Sequence, residues 1–332
     1  MKEDARCNGM NSTTIIMVPT TNSTFDLAMI QRHGIHSRMD AHDSHCLASK
    51  WITICLDKAC TDRCRDAHVS HCTVYYPLDV HTDHLSAVHS TSGQDIETES
   101  ADPLFFKSGQ PGSPEWRMIS SLKWEFIGIA IKMGAQTVLH LDADILVLSN
   151  PFSELLHYHG QIQVLHLSET KDIAESGSNS ETTNAKLLQT PANLAKLKAH
   201  SCTDAPVHSG LLIVSTSTRN YKYRLVQLIN RMLDPRHQKR IVEGSELEQV
   251  VLAEAMQELD VSHCALPKES FAGHCPHAHN DKVDVKHLVT YHAHCASTIM
   301  EKFKLMKQVL RALSKRSSSK KLNVEDIFLL NE

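Results

Sequence analysis

At 332 residues the chain has the length of one large domain or two ordinary ones. Its 41% hydrophobic and 22% charged content is that of a packed globular sequence, not a disordered or fibrous one. A net charge of −4 and an aromatic content of 5% give no footing for a polyanion partner, so no nucleic acid is expected.

The first strand is expected over Ser12–Thr21, around the apolar run Ile15-Ile16-Met17-Val18, and Ser23 or Thr24 caps the helix that follows. Trp51–Asp57 reads as a second strand ending in an acid, residues 60–70 as a helix, and Cys72–Tyr76 as a third strand. This alternation of strand and helix predicts a parallel sheet. Residues 81–103, rich in Ser, Thr, His and Asp, read as a surface loop. Ser113-Pro114-Glu115 opens a helix with an N-cap, a proline at the first position and an early acid. Its apolar stripe runs through Trp116, Ile119, Phe126, Ile127, Ala130 and Ile131, and Gly134 closes it.

The stretch Thr137–Leu148 comes next and is the most informative in the chain. It reads as an apolar strand interrupted by Asp142 and Asp144. On a strand that spacing sets both carboxylates on one face. The two repel each other, and either is costly to bury without a partner. A cation that prefers oxygen ligands removes both costs, which predicts Mg²⁺, Mn²⁺ or Ca²⁺ at a strand end, where open α/β sheets bind ligands.

Further on, Gln161–Leu167 is read as a strand, Glu169–Asn184 as a polar loop or lid, Leu187–His200 as a helix and Gly210–Ser215 as a strand. Tyr221–Leu233 and Ser245–Leu259 follow as helices and Val285–His292 as a last strand. A final helix carries Ile299, Phe303, Met306, Leu310 and Leu313, and the basic, Ser-rich run from Ser314 reads as a flexible linker. The expected division is a segment 1–11, one α/β domain over 12–312, and a linker and tail over 313–332.

Ten cysteines and 23 histidines are many for this length. The even cysteine count permits disulfides and an oxidising compartment. Cys60, Cys64, His68, His71 and Cys72 lie together, but their spacing fits no common structural zinc pattern, so ordinary thiols or a disulfide are expected there. The polar run His274–His279 is read as a loop. Asn11 and Asn22 each start an Asn-Ser-Thr glycosylation pattern. No apolar run reaches membrane-spanning length, and the residues after Met1 lack the apolar core of a signal peptide. The chain is therefore expected to be cytosolic, or to lack a targeting segment present in a longer form.

The order of motifs then becomes specific. Lys123-Trp124 on a helix precedes Leu141-Asp142-Ala143-Asp144-Ile145 and Asn150-Pro151-Phe152. His208-Ser209-Gly210, Glu248-Gln249 and His292-Ala293-His294 follow, with Lys302 ten residues after His292. Over residues 12–312 this resembles the nucleotide-diphospho-sugar transferase domain of retaining glycosyltransferases, and more distantly the glycogenin-like transferases. The resemblance implies a GT-A fold, a Rossmann-like and mostly parallel sheet flanked by helices. It also implies a donor that is a nucleotide-sugar, in the first instance a UDP-sugar, and an acceptor that is a glycan or glycoprotein. The implied cofactor is Mn²⁺, with Mg²⁺ as alternative, and the implied compartment is the Golgi lumen, with the cytoplasm as alternative. By matching positions, Asp142, Asp144 and His292 would hold the metal. Asp142 would also approach the ribose, and Lys302 would face the diphosphate. Lys123 would contact the nucleotide, while Thr20, Asn22 and Asp57 would frame the base and ribose. Glu248 or Gln249 would stabilise the oxocarbenium-like state, by analogy with glycosidases.

The chain departs from the family pattern at three places. His208 stands where Asn is usual, Glu248 where Asp is usual, and His294-Cys295 where Asn-Trp is usual. These are positions that handle sugar and acceptor, which motivates a non-enzymatic alternative: a degenerate relative that binds nucleotide or glycan without turnover. A second alternative is a haloacid-dehalogenase-type phosphatase, in which the first aspartate of such a pair is a nucleophile.

Overall fold

The computed structural model describes residues 10, 13–39, 41–75, 113–152, 162–168, 207–216, 218–244, 246–267, 270–273, 288–293, 296 and 298–315. The expected loops at 81–103, 169–184 and 274–279, the helix at 187–200, the pair His294-Cys295 and the chain beyond Lys315 lie outside these residues; of the linker and tail expected over 313–332, residues 313–315 are instead the end of a helix, with Leu313 buried.

Among the described residues, seven strands form the main sheet. They are β1 (Thr14–Thr20), β2 (Trp51–Cys55), β3 (Cys72–Val74), β4 (Thr137–Leu141), β6 (Val164–Ser168), β7 (Val207–Ser215) and β8 (His263–Ala265), in the order β3-β2-β1-β4-β7-β6-β8. Strands β1 to β4 are mutually parallel, as the strand–helix alternation predicts. Strand β7 runs antiparallel to both β4 and β6, and β6 pairs parallel with β8. A second sheet of three strands, β5 (Ile145–Val147), β9 (Phe271–Gly273) and β10 (Thr290–His292), has the order β5-β10-β9. The expected mostly parallel, helix-flanked α/β fold is therefore the one formed.

Both faces of the main sheet are covered, so its strands read as continuous apolar runs. Alternation sends Ile16 and Val18 of β1 and Leu139 and Leu141 of β4 into one core. The same core takes residues of α1 (Phe25–Arg38), α2 (Ala41–Lys50) and α9 (Ile299–Lys315). Met17 and Val138 go to the opposite core, under α5 (Lys123–Lys132), α6 (Arg219–Met232) and α8 (Glu248–Glu258).

Several local readings change in the folded chain. The helix expected from Ser113 through Ile131 is two helices, α4 (Pro114–Ser121) and α5, joined at Leu122. Ser113 caps α4 as expected, its side chain accepting from Trp116 N. Ser120 and Ser121 both donate back to carbonyls three residues earlier, a pairing that bends and interrupts helices. Trp116 stays 37% exposed, and Trp124 is the tryptophan of these two helices that the core takes. Gly134 sits at φ +99°, past the end of α5, in keeping with its expected closing role. The helix α3 (Lys58–Asp66) starts two residues ahead of its expected start at residue 60, because Asp57 is its N-cap. Two helices were not anticipated: α2, and α7 (Pro235–Val242), which Asp234 caps and Pro235 opens.

The largest correction concerns Asp142 and Asp144. They do not stand on a strand. The strand β4 ends at Leu141, and β5 begins at Ile145 in the other sheet. The two aspartates thus occupy the turn by which the chain leaves one sheet and enters the next. Asp142 N donates to Gly210 O on β7 at 2.8 Å, and Ala293 N donates to Asp144 O at 3.0 Å, so the turn is pinned from both sheets.

Candidate active site

This turn gathers the residues singled out in the sequence. One ligand atom from each of Asp142, Asp144 and His292 lies within 4.8 Å of the other two. His292 closes β10, and its Nε2 is 3.2 Å from Asp144 Oδ1. Lys302 Nζ is 2.5 Å from Asp144 Oδ2. Lys302 is placed by the first turn of α9, where Thr298 and Glu301 cap each other reciprocally. Two carboxylates and an imidazole are a donor set that suits a small divalent cation, with the imidazole favouring Mn²⁺ over Mg²⁺.

Lys123 approaches from the other core. It is 3% exposed, and its Nζ donates to Ser209 O at 3.1 Å and Ser209 Oγ at 3.0 Å. Glu248 Oε2 lies 3.4 Å from the ammonium and Asp142 Oδ1 lies 4.0 Å away. Glu248 is saturated: Trp124 Nε1 donates to Oε1 at 2.6 Å and Ser209 Oγ donates to Oε2. Gln249, the next residue on α8, is half-buried and has no side-chain partner among the described residues. Lys123, Ser209, Glu248 and Trp124 therefore form one buried network from β7 to α5 and α8, with Asp142 at its outer end.

The charges of these groups follow from their neighbours. Burial works against the Lys123 ammonium, but Glu248 first, then Asp142 and Asp144, outweigh it and raise its pKa. Crowding desolvates the Asp142 carboxyl and raises its pKa, although 41% of that side chain stays open; Lys123 opposes the shift and Asp144 adds to it. For Asp144 desolvation is overcome by the charges and hydrogen bonds of His292 and Lys302, which hold it well below the usual carboxylate range. His140 on β4 is buried and its pKa is pushed down by desolvation first and then by Lys123, so it is neutral.

Gly210 is the point of closest approach. A Cβ there would lie 2.9 Å from His292 Cε1, 3.0 Å from His208 Cε1 and 3.2 Å from Asp142 Oδ2. The His208 and His292 rings meet edge to face with centroids 4.8 Å apart. His208, standing where asparagine is usual in the resembling family, is thus part of the cluster's wall.

Thr20, Asn22 and Asp57 form a second group. Thr20 O accepts from Leu56 N at 2.9 Å, which ties the ends of β1 and β2. Asp57 accepts from Asn22 N at 2.7 Å through Oδ2 and from Cys60 N at 2.7 Å through Oδ1. Thr20 is buried and its hydroxyl donates to Val18 O at 3.1 Å. This group sits at the ends of β1 and β2, on the same edge of the sheet as the end of β4.

Three contributors escape sequence reasoning as site residues. Ser209 and Trp124 hold Glu248, and Gln31 Nε2 donates to Asp142 O at 3.1 Å across 111 residues of sequence. A lone glutamine in a helix gives no signal of such a bond. Ser209 and Trp124 stand inside the motifs His208-Ser209-Gly210 and Lys123-Trp124, which is the one hint available.

A family model described as nucleotide-diphospho-sugar transferase matches residues 46–306. No curated protein sequence matches the chain. Among solved structures, the WbbM bifunctional glycosyltransferase aligns with a TM-score of 0.46 and 11% identity, over 93% of this chain. This chain spans only 52% of that one. Mouse xyloside xylosyltransferase 1 aligns with a TM-score of 0.42 and 12% identity, over 85% of this chain and 98% of that one. The galactosyltransferase LgtC, solved with donor and acceptor sugar analogues, aligns at 0.44 and 11%, over 92% and 97%.

Proposed function

This chain belongs to the nucleotide-diphospho-sugar transferase family and is a glycosyltransferase, and from that premise we propose that it moves a sugar from a UDP-sugar to a glycan or glycoprotein with retention of configuration, using a divalent cation. The observation that carries the metal-dependent reading is the convergence of Asp142, Asp144 and His292 between two lysines. When bound, Mn²⁺ or Mg²⁺ would supply positive charge against the leaving nucleoside diphosphate. Asp142, Asp144 and His292 are the residues that would hold it.

The rest of the chemistry falls to the chain's own groups. Lys302, on the first turn of α9, adds a second positive charge beside the diphosphate as the bond between the anomeric carbon and the phosphate oxygen breaks. The acceptor hydroxyl forms the new bond to that carbon on the side of the leaving group, and its proton passes to the departing phosphate oxygen. Gln249, with no side-chain partner among the described residues, is the amide offered to the sugar. Glu248 acts through others: both of its oxygens are held by protein donors, so it positions Lys123 and Ser209. Asp57, Asn22 and Thr20 frame the base and ribose. The disulfides Cys55–Cys60 and Cys64–Cys72 support an oxidising compartment such as the Golgi lumen. Among the described residues, no helix is long and apolar enough to cross a membrane.

The test is UDP binding by calorimetry with and without Mn²⁺, on wild type and Asp144→Ala, followed by UDP release from a panel of UDP-sugars. Mn²⁺-dependent binding that disappears in Asp144→Ala supports the reading. Binding that survives the substitution undamaged, or wild type that binds UDP in neither condition, overturns it. Phosphate release from an aryl phosphate would favour the phosphatase instead.

A further inference from the structure

Away from this site, the segment from β2 to β3 brings four cysteines together and clusters the sulfurs of three of them, the fourth, Cys60, being bonded to Cys55. Cys55 ends β2, Cys60 and Cys64 face inward from α3, and Cys72 begins β3. The pairs Cys55–Cys60 and Cys64–Cys72 are bonded, and the Cys55 and Cys72 sulfurs of different pairs are 3.7 Å apart. One sulfur each from Cys55, Cys64 and Cys72 falls within 4.8 Å of the other two. Cys55, Cys60 and Cys64 are fully buried, packed with Phe25. This set differs from the one its sequence neighbourhood suggests. His68 and His71 adopt left-handed backbone at φ +49° and +58° and are exposed, while Cys55 enters from a separate strand.

Two disulfides alone do not require their sulfurs to meet. A tetrathiolate metal site does. With zinc–sulfur bonds of about 2.3 Å in a tetrahedron, adjacent sulfurs stand roughly 3.8 Å apart. That is the separation of Cys55 from Cys72. The intervals Cys55-x₄-Cys60 and Cys60-x₃-Cys64 fall in the range that short zinc-binding loops use, and the helix α3 between them supplies a rigid frame. Positive groups border the cluster. The Arg63 guanidinium lies 4.3 Å above the Phe25 ring, and Arg32 donates to Ser70 in the turn leading to Cys72.

We propose that Cys55, Cys60, Cys64 and Cys72 are a second metal site, which takes a soft divalent cation, zinc, when the four sulfurs are reduced, and which the two disulfides close. The step balances with a dithiol as reductant. Each disulfide takes two electrons and two protons from one dithiol, which is itself oxidised to a disulfide. The four resulting thiols then bind Zn²⁺ as thiolates and release four protons. The two states would frame the donor site differently, because Asp57 lies between Cys55 and Cys60 and accepts from Cys60 N.

The experiment uses the full chain, oxidised or reduced with dithiothreitol and then desalted without oxygen, with Zn²⁺ or Co²⁺ as the probe. Reduced wild type is expected to show the near-ultraviolet thiolate-to-cobalt charge-transfer band, and oxidised protein to show none. The band should be lost in Cys72→Ser and kept in Asp144→Ala, which separates it from the donor-site metal. Because a cysteine variant can fail to fold, alkylation of reduced wild type is mapped by peptide mass spectrometry with and without zinc. Protection of these four cysteines by zinc, at least tenfold in rate, supports the site. An absent band in reduced wild type, a band undiminished in Cys72→Ser, or equal alkylation in both conditions overturns it.

Discussion

Lys123 is a buried ammonium matched by two carboxylates, Glu248 at 3.4 Å and Asp142 at 4.0 Å. Removing one partner of a buried pair leaves an uncompensated charge, so Glu248→Ala should destabilise the fold by about 3–5 kcal/mol. A lowered urea midpoint at unchanged slope would register this. Gln249→Ala, one residue away, breaks no side-chain bond to the described residues and should leave stability within roughly 0.5 kcal/mol. It should lower kcat for sugar transfer while UDP affinity stays at the wild-type value, and a loss confined to UDP affinity would remove Gln249 from the reaction. Asp144 makes a pH prediction. Its carboxyl pKa is held below the unfolded value, so its stabilisation is complete above roughly pH 4 and is lost as the pH falls below that. Asp144→Asn should therefore flatten the acid limb of the stability profile, with no matching change in slope between pH 6 and 8. Asp142, Asp144, His292 and Lys302 were all legible as site candidates, because each belongs to a motif with a chemical reason. The roles of Ser209 and Trp124 were not, since the motifs that contain them give no reason for a serine or tryptophan to hold Glu248.

Among the elements, the turn between β4 and β5 carries the most information. Read as a strand, Asp142 and Asp144 would share a face; in the turn they converge because backbone bonds from Gly210 and Ala293 fix its two ends. The strand reading failed because the apolar run continues on both sides of the pair, and nothing in that run records that its halves join different sheets. The neighbouring strand β7 constrains this turn through Gly210. Gly210→Ala would press on His292, His208 and Asp142 together, and should cost about 1–3 kcal/mol and weaken Mn²⁺-dependent UDP binding at least tenfold. Gly134→Ala isolates a backbone effect. Nothing lies within 4 Å of the added Cβ, but φ is +99°, so roughly 1–2 kcal/mol of destabilisation should appear in thermal melts with UDP binding unaltered.

At the scale of the molecule, the candidate site is assembled from residues 123 to 302, which stand on both cores and both sheets. The last described helix, α9, is a test of this interdependence. It places Lys302 and buries Leu305, Met306, Val309 and Leu313 in the core shared with α1. Four such side chains contribute roughly 6–12 kcal/mol on burial, comparable with the whole stability of an ordinary domain. A chain ending at Thr298 should therefore lose its cooperative thermal transition as well as its site, which circular dichroism would show. A cooperative transition in that truncated chain would mean that α9 is an appendage and not part of the core.

The sequence by itself determined the strand–helix alternation, the capping at Ser113 and Gly134, and the residue types around the turn between β4 and β5. These depend on periodicity, backbone preference and ligand chemistry, which act within a few residues of one another. Only the tertiary structure decided that β7 runs antiparallel, that Asp142 and Asp144 mark a change of sheet, and that Lys123 is buried against Glu248. It also decided that the Cys55 sulfur comes within 3.7 Å of the Cys72 sulfur while His68 and His71 stay exposed. Each of these rests on partners far apart in sequence, brought together by sheet pairing and by the burial of apolar faces, and no local pattern encodes which distant segment will supply the partner.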